Sequence, residues 1–219
     1  MLCSFRLRRI ALVALFLLAG PASVAAQQPD TTKPGVLEAT PTETDTTEKD
    51  VPYVPTARSA VEVMLETANV SSDDVVYDLG SGDGRIPIMA AQKYGARGVG
   101  VEIDPDLVAK ARKKAEAAGV ADKVTFRQGD LFNVDVSDAT VVTLYLWPEI
   151  NLKLRPKLLR QLDPGDRIVS HDFLMGDWTP DRTVDAGLGN TGRETVYLWI
   201  VPEEIPEDLL DISDESPMD

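Results

Sequence analysis

The stretch Val75–Arg85, "VVYDLGSGDGR", decides the fold. It begins as a short apolar run, passes through glycines at 80, 82 and 84, and ends where a helix can start. A buried strand, a glycine turn and a helix in that order form the first unit of a doubly wound α/β sheet, and the turn is where such sheets hold a ligand. Glycine lets the backbone bend sharply and approach a ligand with no Cβ in the way. The helix that follows points its first amides at the same place, which favours an anion. The ligand class is open at this point.

The spacing removes one ligand class and leaves another open. A P-loop needs a lysine after its last glycine, and Arg85 follows Gly84 here. A dinucleotide fingerprint is GxGxxG or GxGxxA, whereas the register here is Gly80-x-Gly82-x-Gly84. Glu102, 22 residues after Gly80, ends the next apolar run and suits a ribose diol in either class. Asp78 and Asp130 separate them. Asp78 sits two residues before the first glycine, where a carboxylate repels a pyrophosphate. Asp130, in "RQGDLF", ends the third run and is placed for an adenine amino group. An acid at the end of each of the first three strands suits a cationic adenosyl ligand, S-adenosyl-L-methionine. Asp130 also has a plainer reading as a helix cap.

Outward from this stretch, strands and helices alternate. "TARSAVEVMLETA" has Val61, Met64, Leu65 and Ala68 at helical spacing, with Thr56 as a candidate N-cap. Arg85 to Tyr94 reads as a helix stopped by Gly95. "RGVGVEI" is a second strand, and Asp104-Pro105 opens a helix that runs to Gly119 with Leu107, Ala111, Ala115 and Ala118 on one face. "KVTFRQ" is a third strand and "DATVVTLYLW" a long fourth. "EINLKLRPKLLRQL" is helical with an interruption at Pro156, and "DRIVSHDF" is a fifth strand. "RTVDA" and "ETVYLWIV" flank the turn "GLGNTG" and form a hairpin. The fold predicted is a single doubly wound, mostly parallel, seven-stranded Rossmann-like sheet with a C-terminal antiparallel hairpin.

The chain has 219 residues and a net charge of −14. Residues 1–26 carry three arginines and no acid, so the remainder is more acidic still. Backbone-led nucleic-acid binding needs a basic footprint, which this composition lacks. The one cysteine, Cys3, and the one histidine, His171, leave neither a disulfide nor a thiolate or histidine-rich metal centre. A lone histidine that ends a strand reads as structural here rather than as a base. "MLCSFRLRR" is basic, "IALVALFLLAG" apolar, and "PASVAAQQ" offers small residues for cleavage near Ala25 or Ala26. Residues 1–26 therefore read as a signal peptide or, uncleaved, a membrane anchor. The arginines before the apolar run send the domain outward, to an exported or periplasmic place. Cofactor supply, which is cytosolic, points the other way. Residues 27–50 are Thr, Pro and acid and read as a disordered linker. The folded domain is 51–201, and 202–219, with eight acids and no base, is read as a disordered acidic tail.

At "DLGSGDGR", "GVEID" and "GDLF" the sequence resembles class I S-adenosylmethionine-dependent methyltransferases. A narrower likeness lies in "VPYVPT", "VVTLYLWPEIN", "LRPKLLRQLDPGDRIVSHDF" and "VYLWIV". These are similar to the archaeal broad-specificity protein lysine methyltransferases and the mitochondrial ones acting on the adenine nucleotide translocator and the ATP synthase c-subunit. The resemblance implies methyl transfer to lysine ε-amines of a protein substrate. It places Tyr53, Val54, Pro55 and Thr56 over the cofactor, and Asp78, Gly80, Ser81 and Gly82 at its methionine end. It puts Glu102 and Ile103 at the ribose, Asp130 and Leu131 at the adenine, and Tyr145 at the acceptor opening as the catalytic candidate. No metal is implied. The mitochondrial members carry an N-terminal hydrophobic segment, which adds to the anchored reading and to membrane association.

The fourth strand ends "YLWPE", not the [ND]PP[YF] tetrad used on planar nitrogens, which argues against adenine-N6 and glutamine methylation. A small-molecule acceptor stays open beside lysine. So does a non-catalytic exported domain that keeps the fold, although three intact strand-end acids argue against decay.

Overall fold

The computed structural model describes residues 54–189 and 192–213. Seven strands form one sheet: β1 (Val75–Leu79), β2 (Arg97–Glu102), β3 (Val124–Gln128), β4 (Val141–Leu144), β5 (Arg167–His171), β6 (Arg182–Leu188) and β7 (Arg193–Ile200). Four helices accompany them: α1 (Arg58–Thr67), α2 (Arg85–Met89), α3 (Pro105–Ala117) and α4 (Pro148–Gln161). The strand order is β3-β2-β1-β4-β5-β7-β6. β7 lies antiparallel to both β5 and β6, and the other pairings are parallel. The order reverses between β1 and β4, which fixes the ligand crevice beyond their carboxyl ends.

Alternation along the strands divides the core. Val76, Val141, Val169 and Val196 face α1 and α2, packing on Val61, Met64 and Leu65. Leu79, Leu144, Ile168 and Trp199 face the other way, onto Leu154, Leu158 and Leu159 of α4. α3 buries Val108, Ala111 and Ala115 against Val124 and Phe126. Its inner face therefore centres on Val108, with Leu107 only half-buried.

Several expected boundaries shift. The N-cap of α1 is Ala57, with no side-chain cap, and the Thr56 carbonyl accepts from Arg85 instead. The helix expected at 85–94 is two pieces, since α2 passes into a π turn over Ala90–Tyr94. β4 stops at Leu144, because Tyr145 to Trp147 leave the sheet to enter α4. α4 runs unbroken through Pro156. Burial of Leu152, Leu154, Leu158 and Leu159 along one helix outweighs the roughly 3 kcal/mol that an internal proline costs.

The acidic tail is not disordered from Pro202. Residues 202–213 fold back, with a short 3-10 turn at Glu207–Leu209. Leu209 is buried in the α4 core, and Ile205 and Leu210 pack beside it. The fully buried Arg155 donates from Nε to the Leu209 carbonyl at 2.8 Å and from Nη1 to that of Met175 at 3.0 Å. Apolar residues spaced among the acids, and a cation waiting for their carbonyls, order what composition alone makes look loose. The leader, the linker and Tyr53 lie outside the described residues, as do 214–219.

Candidate functional site

A cleft opens at the switch point, lined by Val54, Pro55, Thr56, Asp78, the 80–83 loop, Arg85, Ile86 and Tyr145. It encloses about 410 Å³ of empty space, open mouth included. Val54, Pro55, Thr56, Asp78, Gly80, Ser81, Gly82 and Tyr145 were all expected there, and the fold brings them together. Asp83, Arg85 and Ile86 join them without having been singled out.

The loop's amides are already in use. Gly80 and Ser81 donate to the Val101 carbonyl, both at 2.9 Å, and Gly84 donates to that of Ser81 at 2.9 Å. Gly82 donates to Glu102 Oε2 at 2.8 Å, and Asp104 N to Oε1 at 3.0 Å. Glu102 thus staples the end of β2 to the glycine turn. A loop whose donors point back into the sheet is not a phosphate cradle. Gly84 is required on two counts: its φ is +77°, and a Cβ there would lie 2.5 Å from the Phe126 ring.

Carboxylates face the cleft instead. Asp78 is 4% exposed and takes a hydrogen bond from the Thr143 hydroxyl at 2.8 Å. Burial pushes its carboxyl up to about 7; Glu102 and Asp83 add to the rise, and Thr143 and Arg85 oppose it. Asp83 is treated differently. Burial alone would raise it, yet Arg85 holds it in a two-point fork at 2.9 Å and Lys114 contacts the same carboxylate. The two cations win and hold Asp83 well below the usual carboxylate range. Arg85 also reaches the Thr56 carbonyl at 2.5 Å, which ties the 54–57 segment down beside the loop.

Glu102, Ile103, Asp130 and Leu131 do not line this cleft. Ile103 follows the end of β2, half-buried. The Asp130 carboxylate caps its own turn, taking Phe132 N and Asn133 Nδ2 at 2.8 Å each. It thus caps a turn after β3, where no helix follows, rather than the helix expected. The Leu131 and Phe132 carbonyls each accept from Lys157 at 2.9 Å, which fixes this turn against α4.

Tyr145 is half-buried and marks the far side of the cleft. Its ring lies 4.3 Å from the His171 ring and 6.0 Å from that of Phe173. Trp147, 49% exposed, follows at the start of α4.

A family model for the ANTKMT methyltransferase domain matches residues 78–182, which include Asp78, Glu102, Asp130, Tyr145 and His171. The protein-lysine N-methyltransferase of Saccharolobus islandicus is 46% identical over 154 residues, spanning 70% of this chain and 95% of that protein. The chain belongs to the protein-lysine N-methyltransferase family. Within it, the mouse adenine nucleotide translocase lysine N-methyltransferase is 38% identical over 148 residues, and the match spans 67% of this chain and 64% of that one. This methyltransferase also resembles a crystal structure described as an RNA methyltransferase from Salinibacter ruber in complex with S-adenosyl-L-homocysteine. The two are 66% identical, the match covers 71% of this chain and 99% of the other, and the TM-score is 0.67. The bound S-adenosylhomocysteine is what remains of S-adenosylmethionine after methyl transfer, and this chain is an S-adenosylmethionine-dependent methyltransferase. Its cleft fits that cofactor: a buried carboxylate faces a space whose loop amides are spent, so a cation is suited and a pyrophosphate is not.

Proposed function

We propose that this methyltransferase moves the methyl group of S-adenosylmethionine to lysine ε-amines of proteins. The observation that carries the reading is 46% identity across 95% of an archaeal protein-lysine N-methyltransferase. The cofactor supplies a methyl group on a sulfonium, ready for in-line displacement. Asp78 offers its buried carboxylate to the cofactor's cationic end, and Arg85 is the cation lining the cleft for its carboxylate. Glu102, at the end of β2, stands for the ribose diol. Ile103 beside it belongs to the ribose side, and Asp130 and Leu131 to the adenine side.

Tyr145 borders the acceptor opening, and Val54 and Trp147, both exposed, give its surroundings an apolar rim. A lysine enters as an ammonium and must lose a proton before its nitrogen can attack; its free pKa is about 10.4. A neighbouring cation and a dry site both favour the neutral amine. Alignment of that nitrogen is then the chain's main contribution.

A second reading is favoured by the description of the Salinibacter ruber structure, which names RNA. The net charge of −14 opposes it, because phosphate contacts need a cationic face. The test incubates the full chain with methyl-labelled S-adenosylmethionine, a panel of lysine-bearing proteins and, separately, RNA. Label on lysine after proteolysis supports the proposal. Label on RNA alone, or on small molecules alone, overturns it. The leader at 1–26 adds a proposal of export or membrane anchoring, to be read from fractionation and the N-terminal sequence of the native protein.

A further inference from the structure

One row of side chains crosses the sheet on the α1 face. Asp78 pairs with Thr143, Thr143 with Val169, and Val169 with Leu198. Two residues further toward the carboxyl edge, the same face carries Tyr145, His171 and Val196, and beyond Val196 on the antiparallel β7 comes Glu194. His171 and Glu194 are 1% and 2% exposed. Nε2 of His171 lies 3.4 Å from Glu194 Oε2 and 3.6 Å from Asp172 Oδ2, and neither ring nitrogen makes a well-formed hydrogen bond. A buried imidazole and a buried carboxylate are costly to desolvate, and an apolar pair would be easier to pack.

The surroundings hold this pair firmly. Asp172 adopts φ +63°, a left-handed conformation that a non-glycine residue avoids. It is fixed there by Thr195, whose amide donates to Asp172 Oδ1 at 2.8 Å and whose carbonyl accepts from Asp172 N at 2.7 Å. The hairpin closes over Glu194, since a Cβ on Gly189 would lie 1.5 Å from its Oε1. The groups facing the imidazole are Tyr145 from the end of β4, Asp172 from its own strand and Glu194 from β7. From α1 the apolar Val61, Met64 and Leu65 pack on this face.

We propose that His171, held by Glu194, is a positioning residue for the acceptor amine. The neutral imidazole backs the Tyr145 ring and sets it across the acceptor opening. This rests on the lysine reading above. The tautomer expected carries its proton on Nε2, toward the Glu194 carboxylate, and leaves Nδ1 its lone pair. Burial holds the imidazole below its ordinary value, against the upward pull of Asp172 and Glu194, so it stays uncharged at neutral pH. Protonation would place a third positive charge beside an ammonium and a sulfonium, and methyl transfer would stop.

The chain has a single histidine, so its imidazole can be watched without ambiguity. Nitrogen-15 NMR of the untagged full chain is expected to show the neutral Nε2–H tautomer at pH 7. An imidazolium, or the Nδ1–H tautomer, overturns the proposal whatever the substrate proves to be. In kinetics, His171→Phe is expected to lower kcat for a lysine-bearing protein by on the order of 10- to 100-fold, the scale of a misplaced reactant. Cofactor affinity should stay within about threefold, as titration calorimetry would read it, because the proposal leaves the cofactor site intact. His171→Gln serves should the phenylalanine variant not fold. Glu194→Gln, which still accepts from Nε2, should keep most of the activity, and Glu194→Ala should lose as much as His171→Phe. At saturating cofactor, log kcat/KM for the protein substrate should fall with a slope of two below the imidazole pKa, one proton from lysine and one from His171. The His171 variants should show a slope of one. Unchanged kcat in His171→Phe, or loss of cofactor affinity in step with kcat, overturns the proposal. A wild-type chain that labels no lysine at all refutes the lysine reading instead, and the NMR result then judges His171 alone.

Discussion

Asp74 and Asp78 stand four residues apart at the two ends of β1, and both are buried. Their surroundings could hardly differ more. Asp74, at the amino end, accepts from Ser71 N at 2.7 Å and from the Thr140 hydroxyl at 2.7 Å, and pairs with Arg167. Burial pushes it up, but Thr140, Arg167 and Ser71 together bring it below the usual carboxylate range. Asp78, at the carboxyl end, has Thr143 as its hydroxyl donor and two other acids nearby, and rises to about 7. One carboxylate is finished by the fold. The other is left in want of a cation, and that want marks the end of the sheet where the chemistry happens.

The comparison breaks most sharply at Asp78. Asp78→Asn is expected to weaken S-adenosylmethionine binding about 100-fold, the scale of losing one partner of a buried charged contact. The same change should raise the Tm of the free protein at pH 8, because it removes a buried charge. Calorimetry and thermal melts read the two effects, and unchanged affinity would show the cofactor to be misplaced.

Asp74→Ala should do the reverse. Stability is expected to drop by about 3 kcal/mol, since Arg167 and Thr140 lose their partner. Cofactor affinity should hold, and urea titration beside calorimetry checks both.

The pH dependence follows from the signs. Asp78 has a folded pKa above the ordinary carboxylate range, so its contribution favours the free fold at low pH and is lost as pH rises toward 7. Asp74 and Asp83 are shifted downward, so their contribution is present above about 3.8 and is lost as pH falls through their lowered values. Binding a cation should expel the Asp78 proton. Affinity should therefore climb by up to about tenfold per pH unit below 7 and level off above it. Calorimetry in buffers of different ionisation enthalpy counts the proton; no release at pH 6 would contradict the assignment.

The smallest effect is expected from Thr143→Val. It keeps the shape, removes the hydroxyl donor, and should weaken cofactor binding about fivefold, the scale of one hydrogen bond to a charged group. An equal loss from Thr140→Val, which touches only Asp74 and Val75, would erase the distinction between the two ends.

Much of the cofactor end was legible because it is local. Glycines 80, 82 and 84, with Asp78 before them, fall within one short stretch, and Glu102 follows at the end of the next strand. The acceptor end was not. His171 and Glu194 are 23 residues apart and meet only because β7 returns antiparallel to β5 with Val196 opposite His171. Nothing in the spacing of a lone histidine and an acid past a hairpin announces that meeting. The turn that Asp130 caps has a signal in the asparagine three residues on, whose amide donates to it. Asp83 looked like one more loop residue, because only one of its two cations, Arg85, is close in sequence, and Lys114 comes from α3.

Arg155 has a consequence for the life of the chain outside the cleft. Its guanidinium is sealed in the core, and two of its acceptors, the carbonyls of Leu209 and Asp211, arrive last from the ribosome. A copy clipped at Val201 would keep every strand, yet leave a cation buried without those carbonyls, a costly state for any core. The stretch 202–213 works as a seal over that cation. A copy cut at Val201 is expected to melt at a lower temperature than the full chain.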